Sequence, residues 1–263
     1  MDIDMGCARH IGGRQEQQDE VACFADPDTG TYFLVLADGM GGSQGGALAA
    51  QTVIETAKRY WETCRGMPGD PDEFLEEFCQ QAHRSIRFMS EESGTTGHST
   101  LVALLICEDQ ANWIHVGDSR LYHFKSPTIW QRTKDHSVVQ ALVDAGQITE
   151  EQMSRHPDQN KLLNGLGGKD APETTHGSAT IAPGHHFLLC SDGFWSTITP
   201  VEMGCLLRAP NLSVATTFWV DRAARRAGKD GDNVSLAVLR VKEDLCQTTL
   251  SSEDNSSTLN LCS

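Results

Sequence analysis

Ile3, Met5 and Cys7 are separated by polar or small residues, a period of two that predicts an opening strand. A second short strand is expected near residues 21–24. Longer apolar runs at 32–37, 113–116, 187–190 and 234–241 are rich in Val, Ile, Leu and Phe and bounded by glycine, as buried strands are. Further strands are expected at 101–107, 121–124 and 129–131, the first joined to the run at 113 by polar residues 108–110. Helical periodicity takes over where Ala49, Val53, Ile54, Ala57, Tyr60 and Trp61 fall on one face. A second helix opens at Asp70-Pro71-Asp72-Glu73, which offers an N-cap, a proline in the first position and a capping-box glutamate. Leu75, Phe78, Ala82, Ile86 and Met89 form its apolar stripe. A short helix over 138–145 should end at Gly146. Thr199-Pro200-Val201-Glu202 opens another that stops before Pro210, and a last one covers about 213–227.

Strands in two runs, with a helical pair after the first and helices near the end, make an α+β class. The periodicity leaves open how the sheets pack. No Pro/Ser-rich linker interrupts the strands, so residues 1–242 are expected to form one domain. The polar stretch from 147 to 169 holds Pro157 and several glycines without periodicity, and a flap is expected near 146–169. Residues 243–263 are Ser/Thr/Asp-rich and read as a disordered tail.

Charge narrows the partners. A net −15 argues against nucleic acid or an anionic membrane surface. The nine cysteines are scattered without zinc spacing, which fits a reducing cytoplasm. No stretch is long enough to span a bilayer, so no membrane insertion is expected. Arg222, Arg225 and Arg226 stand where they complement a helix dipole.

The chemistry sits at the strand ends. Asp38, Asp118, Asp192 and Asp232 each stand beside a glycine at the rim of an apolar run. One such aspartate is a turn residue; four ask for a common reason, because an uncompensated carboxylate at a buried rim is unfavourable. A cluster of hard divalent cations held by oxygen supplies it. Asp38-Gly39-Met40-Gly41-Gly42 is denser in glycine than a hairpin needs, which lets a backbone carbonyl approach an ion.

The order of motifs resembles the metal-dependent protein serine/threonine phosphatase family, type 2C or PPM, in its bacterial branch. The elements are Arg14 with Gln18-Asp19, Ala37-Asp38-Gly39-Met40-Gly41-Gly42, Val116-Gly117-Asp118-Ser119-Arg120, Asp135-His136-Ser137, Leu189-Cys190-Ser191-Asp192-Gly193 and Gly231-Asp232-Asn233. The resemblance implies a central sandwich of two antiparallel sheets flanked by helices on both faces, in four layers α-β-β-α. It implies two core Mg²⁺ or Mn²⁺ ions, with Asp38 bridging, Asp192 and Asp232 completing one ion and the Gly39 carbonyl touching the other. Asp19 would act through water, Asp118 with Asp192 would make a third metal position, and Arg14 would grip the substrate phosphate. The reaction implied is hydrolysis of phosphoserine or phosphothreonine in proteins by in-line attack of a metal-bridging hydroxide. A protein substrate, a cognate serine/threonine kinase and a monomeric state go with it.

The chain departs from that pattern in places. Met40 stands where animal members carry a histidine proposed as general acid, which leaves His136 and His156 as candidates. His98 replaces a usual glycine, and Asn164 stands where bacterial relatives often have arginine. A catalytically weak phosphoprotein-binding module, or hydrolysis of a small phosphomonoester, remains the alternative.

Overall fold

The computed structural model describes residues 2–242 apart from 43, 126 and 127; the tail expected over 243–263 lies outside the described residues. The chain begins with β1 (Ile3–His10), β2 (Asp19–Asp26) and β3 (Thr31–Met40), then the helical pair α1 (Gly45–Cys64) and α2 (Pro71–Ser93). Five strands follow: β4 (His98–Ser99), β5 (Leu101–Cys107), β6 (Gln110–Val116), β7 (Arg120–Lys125) and β8 (Thr128–Arg132). After α3 (Val138–Asp144) and α4 (Glu150–Met153) come β9 (Thr175–Thr180) and β10 (His185–Cys190). The chain then runs through α5 (Asp192–Trp195), α6 (Pro200–Leu207) and α7 (Leu212–Ala227) into β11 (Val234–Val241).

One antiparallel sheet has the order β1-β11-β10-β7-β8, the other β2-β3-β5-β6-β9 with β4 paired to β3. Alternation along single strands shows how they stack. Leu34 and Leu36 of β3 join Val102, Leu104, Phe187, Leu189 and Leu239 in a core between the sheets. Phe33 and Val35, on the opposite face of the same strand, pack on Val53, Leu75 and Phe78 of α1 and α2. On the other side, Leu188, Leu236 and Val238 meet Phe194, Met203, Leu206 and Val220 from α5, α6 and α7. Both faces of the central strands are therefore buried, which is why they read as continuous apolar runs. Four layers result, α-β-β-α, as the resemblance implies.

The helix ends show the limits of pattern reading. Asp70 accepts from the Glu73 backbone N at 2.9 Å, but Glu73 returns no bond to the cap, so the expected box is only half made. Thr199 and Glu202 do form the full reciprocal pair at α6. α4 opens with the Thr149 N donating to Gln152 Oε1 at 2.8 Å, inside a stretch without sequence periodicity. Arg222 and Arg226 of α7 both reach Glu202 of α6, while Arg225 pairs with Asp221. Arg222 and Arg226 thus tie α7 to α6, Arg225 pairs within its own helix, and none of the three lines the cavities described below. Among the described residues, no helix is long and apolar enough to cross a membrane, and all seven cysteines are free thiols.

Candidate active site

The sandwich delivers its aspartates to one end. Asp19 opens β2 and lies in register opposite Asp38, near the end of β3. Asp118 sits in the short link between β6 and β7, Asp192 begins α5 directly after β10, and Asp232 lies two residues before β11. Asp38, Asp118, Asp192 and Asp232 line one cavity of about 260 Å³, together with Arg14, Gln18, Gly39 and Met40. Asp19 lies behind this wall, 1% exposed. All seven positions expected from sequence are therefore brought to one place: Arg14, Asp38, Gly39, Asp118, Asp192 and Asp232 on the wall, with Asp19 supporting it.

Backbone packing fixes the wall. The Asp38 N donates to Thr100 Oγ1 at 3.0 Å and its carbonyl accepts from Thr100 N at 2.8 Å. Thr100 Oγ1 in turn lies 2.8 Å from Ser119 Oγ, next to Asp118. Gly39 lies so close to the first turn of α1 that a Cβ there would stand 2.0 Å from the Gly46 carbonyl oxygen. Gly117 holds a φ of +102°, and a Cβ on it would strike Thr100 Cγ2 at 2.7 Å, so Asp118 is presented by a turn that only glycine makes comfortably.

Electrostatics mark the site more sharply than shape does. Burial raises Asp19 to about 7, with Asp192 and Asp232 adding repulsion and the hydroxyls of Ser191 and Ser235 opposing it. Burial and the neighbouring Asp232 raise Asp192 to about 6. Asp38 is pushed well above the carboxylate range by burial and then by Asp19, Asp192, Asp118 and Asp232. Asp118 rises for the same kind of reason, burial first and Asp192 next. At the mouth of the cavity Arg14 answers this charge, donating to Asp232 Oδ2 at 2.7 Å, and the buried Arg120 guanidinium partly offsets the rise of Asp118. Among the described residues no three His, Cys, Asp or Glu side chains close into a ready-made ion cage. Carboxylates that share a cavity repel one another, so a spread arrangement is what the protein alone should adopt. The donor set nonetheless fits a hard divalent cation: oxygens alone, excess negative charge, and Asp19 Oδ2 buried without a hydrogen-bond partner.

Two arrangements were not foreseen from sequence. Asn233, 4% exposed, accepts from Gln18 N at 2.7 Å and donates to the carbonyls of Ile11 and Glu16 at 2.7 and 3.1 Å. It therefore pins the loop carrying Arg14 to the segment carrying Asp232. Arg120 makes a buried two-pronged pair with Asp135 at 2.8 and 2.7 Å and lies 3.5 Å over the Trp195 ring. Trp195 in turn donates to the Asp118 carbonyl at 3.0 Å. The signal for Asn233 was its place after Asp232; nothing local in the sequence pairs Arg120 with Asp135.

The departures from the pattern also find places. Neither His136 nor His156 lines the aspartate cavity. His136 bonds Thr175 Oγ1 at 2.9 Å and lies 3.2 Å from Asn164 Nδ2, while His156 accepts from the Asp158 N in a local turn. Asn164 is consumed the same way, holding His136 and the Glu173 backbone. His98 pairs with Met40 across β3 and β4.

A sequence profile described as protein phosphatase 2C matches residues 7–205. The serine/threonine phosphatase stp of Listeria monocytogenes is 30% identical over 239 residues, spanning 89% of this chain and 93% of that protein. The serine/threonine phosphatase of S. agalactiae superposes with a TM-score of 0.81 at 26% identity, over 92% of this chain and all of that one (100%). The catalytic domain of the phosphatase PstP, solved in complex with two manganese ions, gives 0.73 at 28% identity, over 92% of this chain and 99% of that domain.

Proposed function

This chain belongs to the protein phosphatase 2C family and is a serine/threonine protein phosphatase, and within that class we propose a two-cation hydrolysis of phosphoserine and phosphothreonine. The observation that carries the proposal is the convergence of Asp38, Asp118, Asp192 and Asp232 on one cavity, with the unpartnered oxygen of Asp19 behind them. Asp38 would bridge two Mg²⁺ or Mn²⁺ ions, with Asp192 and Asp232 on one and the Gly39 carbonyl on the other. Asp118 with Asp192 would offer a third position, and Asp19 would act through water. When bound, such ions would neutralise the phosphate oxygens and lower the pKa of the attacking water.

The chain's own residues do the rest. Arg14 stands at the mouth, where its guanidinium would hold two phosphate oxygens by paired N–H bonds. Met40 contributes no proton, and the imidazoles of His136 and His156 lie elsewhere, so the leaving alkoxide takes its proton from solvent. Segment 146–169 is proposed as a flap over the site, with Asn160 and Leu162 reaching the cavity wall. The proposed setting is the cytoplasm, as a monomer that opposes a serine/threonine kinase. The complete carboxylate set favours turnover over a binding-only module.

The test is phosphate release from a phosphothreonine peptide with Mn²⁺, with and without chelator, for the parent and Asp38→Asn. Release should require the metal and fall at least about 100-fold in the variant, the loss expected when several kcal/mol of charge stabilisation goes. A folded, metal-supplied parent that releases no phosphate would sink the proposal.

A further inference from the structure

Two more cavities adjoin the aspartate cavity, and they differ in character. One, of about 510 Å³, shares Met40 and Leu162 with it and is completed by His98, Leu163, Gly165 and Gly168. The other, of about 250 Å³, shares Arg14, Asp192, Asp232 and Asn160 and is walled by Gln159, Ser196, Thr197 and Asp230. The three form one trench with the aspartates in the middle. A phosphorylated side chain reaching those aspartates leaves its own backbone to run outward along the trench. In an extended segment the side chains two positions before and after the phosphorylated residue share its face, about 6.6 Å away along the chain, and so fall into the two flanking cavities.

Of the two flanking cavities, the larger is the more apolar. Met40, Leu162 and Leu163 supply its greasy wall, and Leu163 is 64% exposed although leucines in a packed domain are usually covered. Two glycines leave room in its floor. A Cβ on Gly168 would meet nothing nearer than the Gly165 carbonyl at 3.9 Å, and one on Gly165 would lie 3.8 Å from Met40 Cε. Lys169, Asp170 and Glu173 also line this cavity, all three exposed; their mixed signs select neither charge. The opposite cavity offers mainly hydroxyls, amides, carboxylates and Arg14, with Trp195 as its one aromatic wall.

We propose that the larger cavity binds a bulky apolar side chain adjacent to the phosphorylated residue, so that the enzyme selects phosphoproteins by a Leu, Ile, Met or Phe on one side of the phosphosite. The selection rests on the phosphatase reading above and names its substrate more closely. It also separates phosphoproteins from small phosphomonoesters, which fill the central cavity alone. Affinity for the neighbour comes from apolar area removed from water, and a well-seated leucine is worth about ten-fold in binding.

The experiment compares p-nitrophenyl phosphate with phosphothreonine peptides in which Leu, Ser, Asp or Lys is placed one or two residues before or after the phosphosite, all with Mn²⁺. The expected result is a kcat/KM about ten-fold higher for Leu than for Ser or Asp on one side, carried by KM, and no such effect on the other. Leu163→Asp and the cavity-filling Gly168→Leu should each erase that preference while p-nitrophenyl phosphate turnover stays within two-fold. Equal preference on both sides, preference for a charged neighbour, or loss of p-nitrophenyl phosphate turnover in step with the peptides would overturn the inference. If the parent hydrolyses neither the peptides nor p-nitrophenyl phosphate, the phosphatase reading falls and takes the inference with it.

Discussion

Asn233→Ala removes three hydrogen bonds from a side chain that is 4% exposed. The Gln18 N loses its acceptor at 2.7 Å, and the carbonyls of Ile11 and Glu16 lose their donors at 2.7 and 3.1 Å. A neutral hydrogen bond contributes roughly 0.5–1.5 kcal/mol net, and more when its stranded partner stays dry. Three of them in a partly wetted loop amount to about 2 kcal/mol once water has entered. For a domain of this size that is a fall in Tm of roughly 4–8 °C. The consequence for catalysis is more specific than for stability. The released loop holds Arg14 at one point and leads into Asp19, so phosphate binding should weaken and KM rise about ten-fold, worth about 1.4 kcal/mol. Unfolding must be followed in chelator, since bound ions would mask the loss. A variant whose Tm stays within 1 °C of the parent and whose KM is unchanged would refute the reasoning, because the loop would then be held by something other than Asn233.

Three other outcomes follow from the same geometry. Gly39→Ala has no room for its methyl group, which would stand 2.0 Å from the Gly46 carbonyl oxygen, so metal-dependent phosphate release should fall at least about 100-fold while circular dichroism still reports a folded protein. Asp135→Ala strands the buried Arg120 guanidinium and should cost about 3–5 kcal/mol in urea unfolding. The pH dependence of the metal-free protein has a definite sign: the folded-state pKa of Asp19, about 7, and of Asp192, about 6, lie above the ordinary 3.8. Their contribution to stability is complete below about pH 4 and is lost as pH rises through 6–7. Tm in chelator should therefore fall between pH 5 and 8, and Mn²⁺ should remove most of that fall; a flat profile in chelator would contradict it.

What could be read along the chain was what local pattern encodes. β3, β5, β10 and β11 were legible because both of their faces are buried, leaving long apolar runs between glycines. The aspartates were legible because each breaks such a run. β9 was missed because Thr175–Thr180 is an edge strand with little to bury, and its Gly177 is there to let the Trp113 ring lie against the backbone. β4, two residues long, is defined by its partners, β3 and the bridge from Ser99 to Leu166. α4 and α5 are single turns, too short for any period to appear. The pairing of Arg120 with Asp135 and the three bonds of Asn233 are products of tertiary placement. Asn233 reaches back 222 positions to Ile11, a relation that no sequence window contains.

The aspartates are divided between the layers of the sandwich. Asp19 and Asp38 ride on one sheet, Asp192 and Asp232 on the other, and Asp118 on the link that crosses between them. No half of the molecule owns a working set. A nascent chain released before β11 carries the acidic residues without the strand that closes its second sheet, and a remnant that keeps one sheet is left with two or three of them. The active centre thus acts as its own quality control: the ability to erase a phosphorylation signal appears only when the last strand has closed the fold, and it is lost when the sheets part.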